Sequence, residues 1–423
     1  MGLHLLYIQF ITQIKALRSK KIIAISIINA GSLAWYFVIR NQFDTLFQVS
    51  SGDKIWVYVG SALFYFFAAL SAIIGCALTS KVSHKKFLWS WVTFGVVTQG
   101  CLILFKEEIV SIIFGPLLGI SLGLGFPYTL TMFSDCTDLE ERGRSSGIYL
   151  LLSFFMIACA MVANIALSLG LFETIIVLMI IKSTGFLALI LDDCTGGVKK
   201  KHKKKSESWF SVLRQKDFGL YFFPWLMFLI AVVLTDHLVW ADLQKNLDYL
   251  RMMEIARPLN YAGTAIFGLI SGIITDRFGR KLPIIIGLII FGFSSALLGI
   301  APSEISVFVH MMTIGVAFGF LMVTYTVVPG DIASNSKEKF YALIGVIPLT
   351  IYGGIGAIPR AFNLSVGANI ISPILSAILF LSILPVLQAP ETLPQKIINA
   401  RKIKEHMKKV GELMEKEKKK EKS

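Results

Sequence analysis

The chain carries little charge for its length. Only 16% of its 423 residues are charged, whereas 55% are hydrophobic and the mean hydropathy is +0.70. Soluble domains carry about 25% charged residues, so this balance excludes an ordinary soluble protein and indicates a core that faces lipid. The formal net charge is +14, but the lysines cluster at segment ends and in the tail. That placement predicts a membrane-orientation signal rather than nucleic-acid binding.

The chain also lacks the residue spacings of a metal site or a catalytic site. Its five cysteines form no Cys-x-x-Cys or Cys/His pattern and are interpreted as small packing residues: Cys76, Cys101, Cys136, Cys159 and Cys194. No cluster of His, Asp, Glu or Cys has the spacing of metal ligands or of an activated nucleophile, which argues against a membrane-embedded enzyme. The sequence therefore predicts no metal, no cofactor and no enzymatic activity.

Both ends of the chain have the pattern of amphipathic surface segments. No signal-peptide cleavage site follows the first apolar residues. Residues 1–21 instead have apolar side chains at helical spacing: Leu6, Phe10, Ile14 and Leu17. The tail, 389–423, repeats this pattern among many lysines: Ile403, Met407, Val410 and Met414. We expect both segments to lie on the membrane, with the basic tail against anionic lipid headgroups.

Long apolar runs predict a polytopic, all-α membrane protein. About 20 apolar residues are needed to cross a bilayer as a helix. Twelve runs meet this length: 22–40, 56–79, 88–105, 109–133, 145–167, 173–191, 217–241, 256–275, 282–301, 306–329, 340–363 and 367–388. A Lys-rich connection, 192–216, divides them into two bundles of six, which span 22–191 and 217–388.

The loops alternate in charge and so predict an orientation. The basic loops and the tail all fall on one side: Lys81 to Lys86, Lys199 to Lys205, Arg277 to Lys281, and 389–423. The opposite loops are acidic or neutral and contain Asp44, Asp53, Glu107, Glu108, Glu173 and Glu304. By the positive-inside rule the basic side is cytoplasmic, so both termini are expected inside the cell.

The most specific motif is the ten-residue connection between predicted crossings 8 and 9, GIITDRFGRK. It contains Gly272, Asp276, Arg277, Gly279, Arg280 and Lys281. In this position the pattern Gly-x-x-x-Asp-Arg-x-Gly-Arg-Lys resembles the loop signature of the major facilitator superfamily. The resemblance covers about residues 20 to 390 and implies two pseudo-symmetric six-helix bundles with a solute site between them. It also implies secondary transport by alternating access.

In that family the motif is taken to hold the cytoplasmic side shut. We expect Asp276 to face the N-terminus of the eleventh helix, near Glu338 to Tyr341, where free N–H groups favour an anion. Gly272 would let two helices approach closely. The alternative for Arg277, Arg280 and Lys281 is that they only set topology.

The first half carries a degenerate copy of the motif. The best alignment places Cys76, Ser80, Lys81 and Ser83 at the small, acidic, basic and second glycine positions, so the carboxylate is missing. A second cytoplasmic gating loop in each half is predicted from Asp135, Glu141, Arg142 and Asp331. Because only the second-half motif is intact, we expect that half to dominate cytoplasmic gating.

Polar residues inside the crossings mark a candidate path for solute or protons, because such residues are costly in lipid. They are Asn29, Tyr36, Arg40, Trp225, Asp236, His237, His310, Tyr325 and Arg360. The resemblance implies that crossings 1, 4, 7 and 10 line the cavity, where most of these side chains would lie. Arg40, Asp236, His237, His310 and Arg360 fall near the outer ends, so an extracellular ion-pair gate is as good an interpretation as a substrate site.

Asp236 and His310 are the candidates for proton coupling, since burial raises the pKa of a carboxyl group and histidine titrates near neutral pH. Contact with headgroups or water is the alternative for both residues. The aromatic and polar stripes favour a sugar or another small polar metabolite as the solute. A high Phe and Met content leaves an exporter of lipophilic compounds as an alternative, and a non-transporting sensor is a third.

Overall fold

The computed structural model of the chain describes residues 20–43, 46, 54–79, 81–104, 109–191, 207–243, 245, 247–333, 335–356, 366–394, 398–399, 403, 407, 410 and 414. Within these residues it is helical and contains no strand. Residues 1–19, most of the Lys-rich connection, most of the tail, and Arg360 lie outside the described residues. The predicted surface segments and the role of Arg360 therefore stay predictions.

The first half contains six helices. They are α1 Lys20–Asn41, α2 Lys54–Leu78, α3 His84–Leu102, α4 with segments Ile109–Gly123 and Phe126–Cys136, α5 Arg142–Leu167, and α6 Leu171–Leu191. The break in α4 falls at Leu124 and Gly125, and Pro127, which cannot donate a backbone hydrogen bond, is the second residue of the next segment.

The second half repeats this arrangement. Its helices are α7 with segments Lys216–Leu234, Thr235–Val239 and Trp240–Leu243, α8 Leu247–Phe278, α9 Lys281–Ile300, and α10 Glu304–Ile332. They continue with α11, in segments Lys337–Tyr341, Ala342–Val346, Ile347–Leu349 and Thr350–Gly354, and α12, in segments Ala368–Leu381 and Ile383–Gln388. The second segment of α7 and of α11 is a π-helix.

Ten of the described helices are long and apolar enough to cross a membrane. The other two predicted crossings are α3 and α11. Helix α3 begins with His84, Lys85 and Lys86, which lower its apolar content. Helix α11 is divided into short segments around Pro348, so no single described helix is long enough. The two-bundle, twelve-helix architecture agrees with the prediction.

The two halves meet mainly through two helix pairs. Helix α5 packs along α8, and α2 packs against α11. Four glycines allow the close approach of α5 and α8: Gly143, Gly147, Gly268 and Gly272. A Cβ atom on Gly272 would lie 2.5 Å from the carbonyl oxygen of Gly143, and one on Gly147 would lie 2.9 Å from that of Gly268. Small residues of this kind let helix backbones pack tightly in membranes.

Candidate functional site

Asp276 joins the two halves at the end of the molecule that carries the Gly272–Lys281 motif, called here the motif end. Its carboxylate accepts hydrogen bonds from the backbone N–H groups of Gly143 and Arg144, at 2.8 and 2.9 Å, in the first turn of α5. The prediction that Asp276 faces the N-terminus of α11 was wrong. Helix α11 lies in the same half as α8, whereas the free N–H groups that bind Asp276 belong to α5 of the opposite half.

Asp331, near the end of α10, is the centre of a buried charge network. Its carboxylate pairs with Arg142 of the first half and with Arg280, whose Nε donates at 2.9 Å. Arg280 also donates to Asp276 at 3.2 Å and to the carbonyl oxygen of Leu139 at 2.7 Å. The side chains of Asp331 and Arg280 are 0% exposed. Two aspartates and two arginines thus compensate one another while they tie α5 to α8 and α10.

Glu391 stabilises the motif loop from the far end of the second half. Its carboxylate accepts hydrogen bonds from the backbone N–H groups of Arg280 and Lys281, at 2.8 and 3.3 Å, where α9 begins. Gly279 has a φ of +103°, and a Cβ atom there would lie 2.3 Å from this carboxylate. Glu391 was not among the predicted gate residues. The Pro-Glu-Thr step that follows α12 was the available signal.

The remaining gate candidates make weaker or local contacts. Asp135 pairs with Lys337 across the halves at 2.6 Å, but its side chain is 39% exposed. Glu141 pairs with Arg144, at 3.8 Å, within its own helix turn. Arg277 is exposed. In the degenerate first-half motif, Cys76 is buried, and its thiol donates to the carbonyl oxygen of Glu338 at 3.4 Å.

A cavity of about 620 Å³ lies between the halves toward the opposite end, and we call it the polar chamber. Among its lining residues, Arg40 of α1 pairs with Asp236 of α7 at 2.5 Å. Asn41 and Tyr261 form a second link between the halves, at 2.8 Å. The other polar or charged lining residues include Tyr58, Ser61, Tyr65, His237, Arg257, Asn260 and Thr264. Arg257 was not among the predicted pathway residues, although a charge inside a predicted crossing was a usable signal.

A smaller apolar chamber continues from the polar chamber toward the motif end. Its volume is about 70 Å³, and Phe37, Arg40 and Phe318 line both chambers. The apolar chamber is lined by three of the predicted pathway residues: Tyr36, Trp225 and Tyr325. The Trp225 and Tyr325 rings pack 4.6 Å apart. Trp225 also donates to the carbonyl oxygen of Ile344 at 2.8 Å.

Two pathway candidates lie within the bundles and line neither chamber. Asn29 is fully buried between α1 and α4, where its amide donates to the carbonyl oxygen of Thr129 and accepts from its hydroxyl. His310 is enclosed by α7, α9 and α10, with the rings of Trp240 and Phe291 beside it and the Ser294 hydroxyl at 3.2 Å. Their spacing placed them on a polar stripe, but the helices bury those positions against neighbours within the same half.

Comparison with known proteins identifies the family. The family model for the Major Facilitator Superfamily matches residues 22–359. The chain belongs to this superfamily. Among solved structures, the human organic anion transporter MFSD10 (TETRAN) superposes with a TM-score of 0.68 at 10% identity, covering 87% of this chain and 99% of that one. A search of curated proteins found no match. Family and fold together make the chain an integral, multi-pass membrane transporter.

A glycine-to-alanine substitution, which adds one methyl group, tests whether α5 and α8 pack closely in this superfamily member. We expect Gly272→Ala to lower the Tm in detergent, because its Cβ would meet the backbone carbonyl oxygen of Gly143 at 2.5 Å. Overpacking of this kind costs about 1–3 kcal/mol. Gly263→Ala on the same helix is the control, since nothing lies within 4 Å of its Cβ. Equal Tm values for the two variants would contradict the expectation.

Proposed function

We propose that the protein is a secondary active transporter that moves a small solute by alternating access. The observation that carries this proposal is the asymmetry between the two ends. Buried charges join the halves at the motif end, while a cavity of about 620 Å³ separates them toward the other end. A carrier with one accessible end needs a second state in which the contacts exchange.

The orientation in this proposal follows from the charge of the loops. Basic residues concentrate at the motif end, so we propose that it faces the cytoplasm, together with both termini. The described conformation is then outward-facing. In this proposal Asp276, Asp331, Arg142 and Arg280 form the cytoplasmic gate, and the Arg40–Asp236 pair divides the two chambers.

Alternating access can be tested with two thiol reporters. Cys76 is buried where α2 meets α11 at the motif end, and a cysteine introduced at Tyr58 would report on the polar chamber. In separate proteins with one reporter each, we expect any condition that speeds labelling of Cys76 to slow labelling at position 58. Parallel changes at both positions would contradict a two-state carrier. Uptake of labelled sugars, carboxylic acids and lipophilic cations into proteoliposomes would then identify the solute.

Several solute classes fit the proposal at this level. A sugar or another polar metabolite suits the polar side chains of the larger chamber, and a lipophilic compound suits Phe37 and Phe318, which border both chambers. The human protein of similar fold is an organic anion transporter, which adds organic anions to the candidates.

Proton coupling is proposed to act through Asp236. This carboxylate lines the polar chamber and pairs with Arg40 of the other half, so protonation would weaken a contact between the halves. His310 suits this role less well, because its ring is enclosed within the second half.

We expect Asp236→Asn to abolish solute accumulation driven by a pH gradient while downhill exchange survives. The amide keeps the shape of the carboxyl group but cannot take up a proton. Asp242→Asn is the matched control on α7, because Asp242 lies outside the chamber and pairs with the exposed Lys245. Initial rates in proteoliposomes, with and without a pH gradient, would be compared. If Asp236→Asn retained pH-driven accumulation, Asp236 would have no part in coupling.

A further inference from the structure

The charged residues of the polar chamber do not balance. Its described lining contains two arginines, Arg40 and Arg257, and one carboxylate, Asp236, so the lining carries a net charge of +1 with His237 neutral. Asp236 is already paired with Arg40. Arg257 forms no ion pair or hydrogen bond within the described part of the chain. Among the described residues, one cation in the chamber is therefore left without a counter-charge.

Arg257 lies on the face of α8 that borders the chamber. Four other residues of α8 line the same chamber and lie one or two helical turns from Arg257: Met253, Asn260, Tyr261 and Thr264. The neighbouring polar groups are already engaged: Asn260 donates to the carbonyl oxygen of Met311, and Tyr261 bonds with Asn41. These contacts hold the neighbours in place and leave the guanidinium as the group free to meet a solute.

Apolar side chains form another part of the wall. Aromatic and aliphatic side chains border the chamber from four helices: Phe37, Val57, Phe154, Ile314 and Phe318. A volume of 620 Å³ falls within the range of about 300–1,000 Å³ that is usual for small-molecule sites. The Arg257 side chain is exposed, so a solute that enters the chamber can reach its guanidinium group.

We infer that the solute is an organic anion with an apolar body, and that Arg257 binds its anionic group. The inference rests on the proposed transport function, because it names the solute class of the same cavity. An arginine can hold a carboxylate, sulfonate or phosphate through two parallel N–H···O bonds, which suits it to this role. The anionic group would supply the missing negative charge, and the apolar body would lie against the aromatic wall. A neutral sugar would leave the guanidinium without a counter-charge.

The test compares an acid with its amide, which have the same shape but differ in charge. Two pairs serve as probes: 2-naphthoate with 2-naphthamide, and 3-phenylpropanoate with 3-phenylpropanamide. Binding to the full chain in lipid nanodiscs would be followed by calorimetry and by the fluorescence of Trp240, which lines the chamber. We expect at least one acid to bind about tenfold or more tightly than its amide, and Arg257→Gln to remove that preference. Arg257→Lys should retain part of it.

Arg251→Gln is the matched control, because Arg251 is an exposed arginine on α8 that does not line the chamber. It should bind acids as the parent protein does. Equal binding of acids and amides, no binding of either acid, or an acid preference that survives Arg257→Gln would overturn the inference. Each of these results is compatible with anticorrelated labelling of the two thiol reporters. The solute class can thus fail while alternating access stands.

Discussion

Asp331→Asn is expected to open the motif end. Asp331 is the acceptor shared by Arg142 and Arg280, and its side chain is fully enclosed. The amide would leave two buried guanidinium groups without their carboxylate. Removal of one partner from a buried ion pair costs about 3–5 kcal/mol.

This cost falls mainly on the conformation that buries the charges. In a state with the motif end open, water would solvate both arginines, so loss of the carboxylate would cost little there. At about 1.4 kcal/mol for each tenfold change, the equilibrium would shift about 100-fold or more toward the open state. A carrier held in one state transports slowly, so uptake should fall as well.

The native Cys76 thiol measures this shift. In a variant that keeps only this cysteine, we expect Asp331→Asn to speed its labelling by a membrane-impermeant maleimide, because opening would separate it from the carbonyl oxygen of Glu338. Asp135→Asn is the control: it also breaks an ion pair between the halves at this end, but an exposed one. Exposed pairs contribute about 1 kcal/mol or less. Comparable labelling rates in both variants would show that burial of the charges does not hold the gate shut.

Lys182→Met is expected to stabilise the protein. Lys182 lies on α6 in the interior of the first half and is only 2% exposed. Its ammonium group donates to the carbonyl oxygen of Ser121 at 3.1 Å and lies 4.7 and 4.3 Å from the ring centroids of Trp35 and Trp91. No carboxylate pairs with it among the described residues. A buried charge with such partners is only partly compensated.

The groups that contact Lys182 keep other partners when the lysine is replaced. The carbonyl oxygen of Ser121, close to the break in α4, also accepts a hydrogen bond from the Trp91 indole at 2.8 Å. Methionine has a similar length, and its sulfur packs well against aromatic rings. Apolar replacement of buried ionic groups stabilises proteins by about 1–4 kcal/mol in favourable cases.

The measurement is thermal unfolding in detergent, where Lys182→Met should raise Tm by several degrees. Lys81→Met, at an exposed position, is the control for a simple loss of charge. A lower Tm for Lys182→Met would mean that the ammonium and its two indoles contribute more than burial of the charge costs. The Lys182 charge would then help to stabilise the break between the two segments of α4.

Local patterns were sufficient to predict the helices and the chemistry of the motif. Apolar length predicted twelve helices in two bundles, because each run must span the bilayer by itself. The motif residues likewise stand out as charges in a short connection. These features depend only on the local sequence and on the need of each apolar run to cross lipid. A single sequence therefore reveals them.

Contacts between the halves could not be predicted in the same way. Asp276 binds the first turn of α5, whose position beside α8 depends on how two bundles dock. The enclosure of Asn29 and His310 depends equally on neighbouring helices. The π-helical segment Thr235–Val239 lies where Asp236 and His237 reach the chamber, and nothing in the spacing of α7 indicated this change of helical geometry.

The position of Glu391 also decides how short a working version of the protein can be. A chain that stopped after α12, at Gln388, would keep every helix that crosses the membrane. It would nevertheless leave the N–H groups of Arg280 and Lys281 uncapped, and Asp331 would lose its bond from the Thr392 hydroxyl. Leu393, which is fully buried, would also be missing. We therefore expect a working version to need the chain at least as far as Leu393, five residues beyond the end of α12.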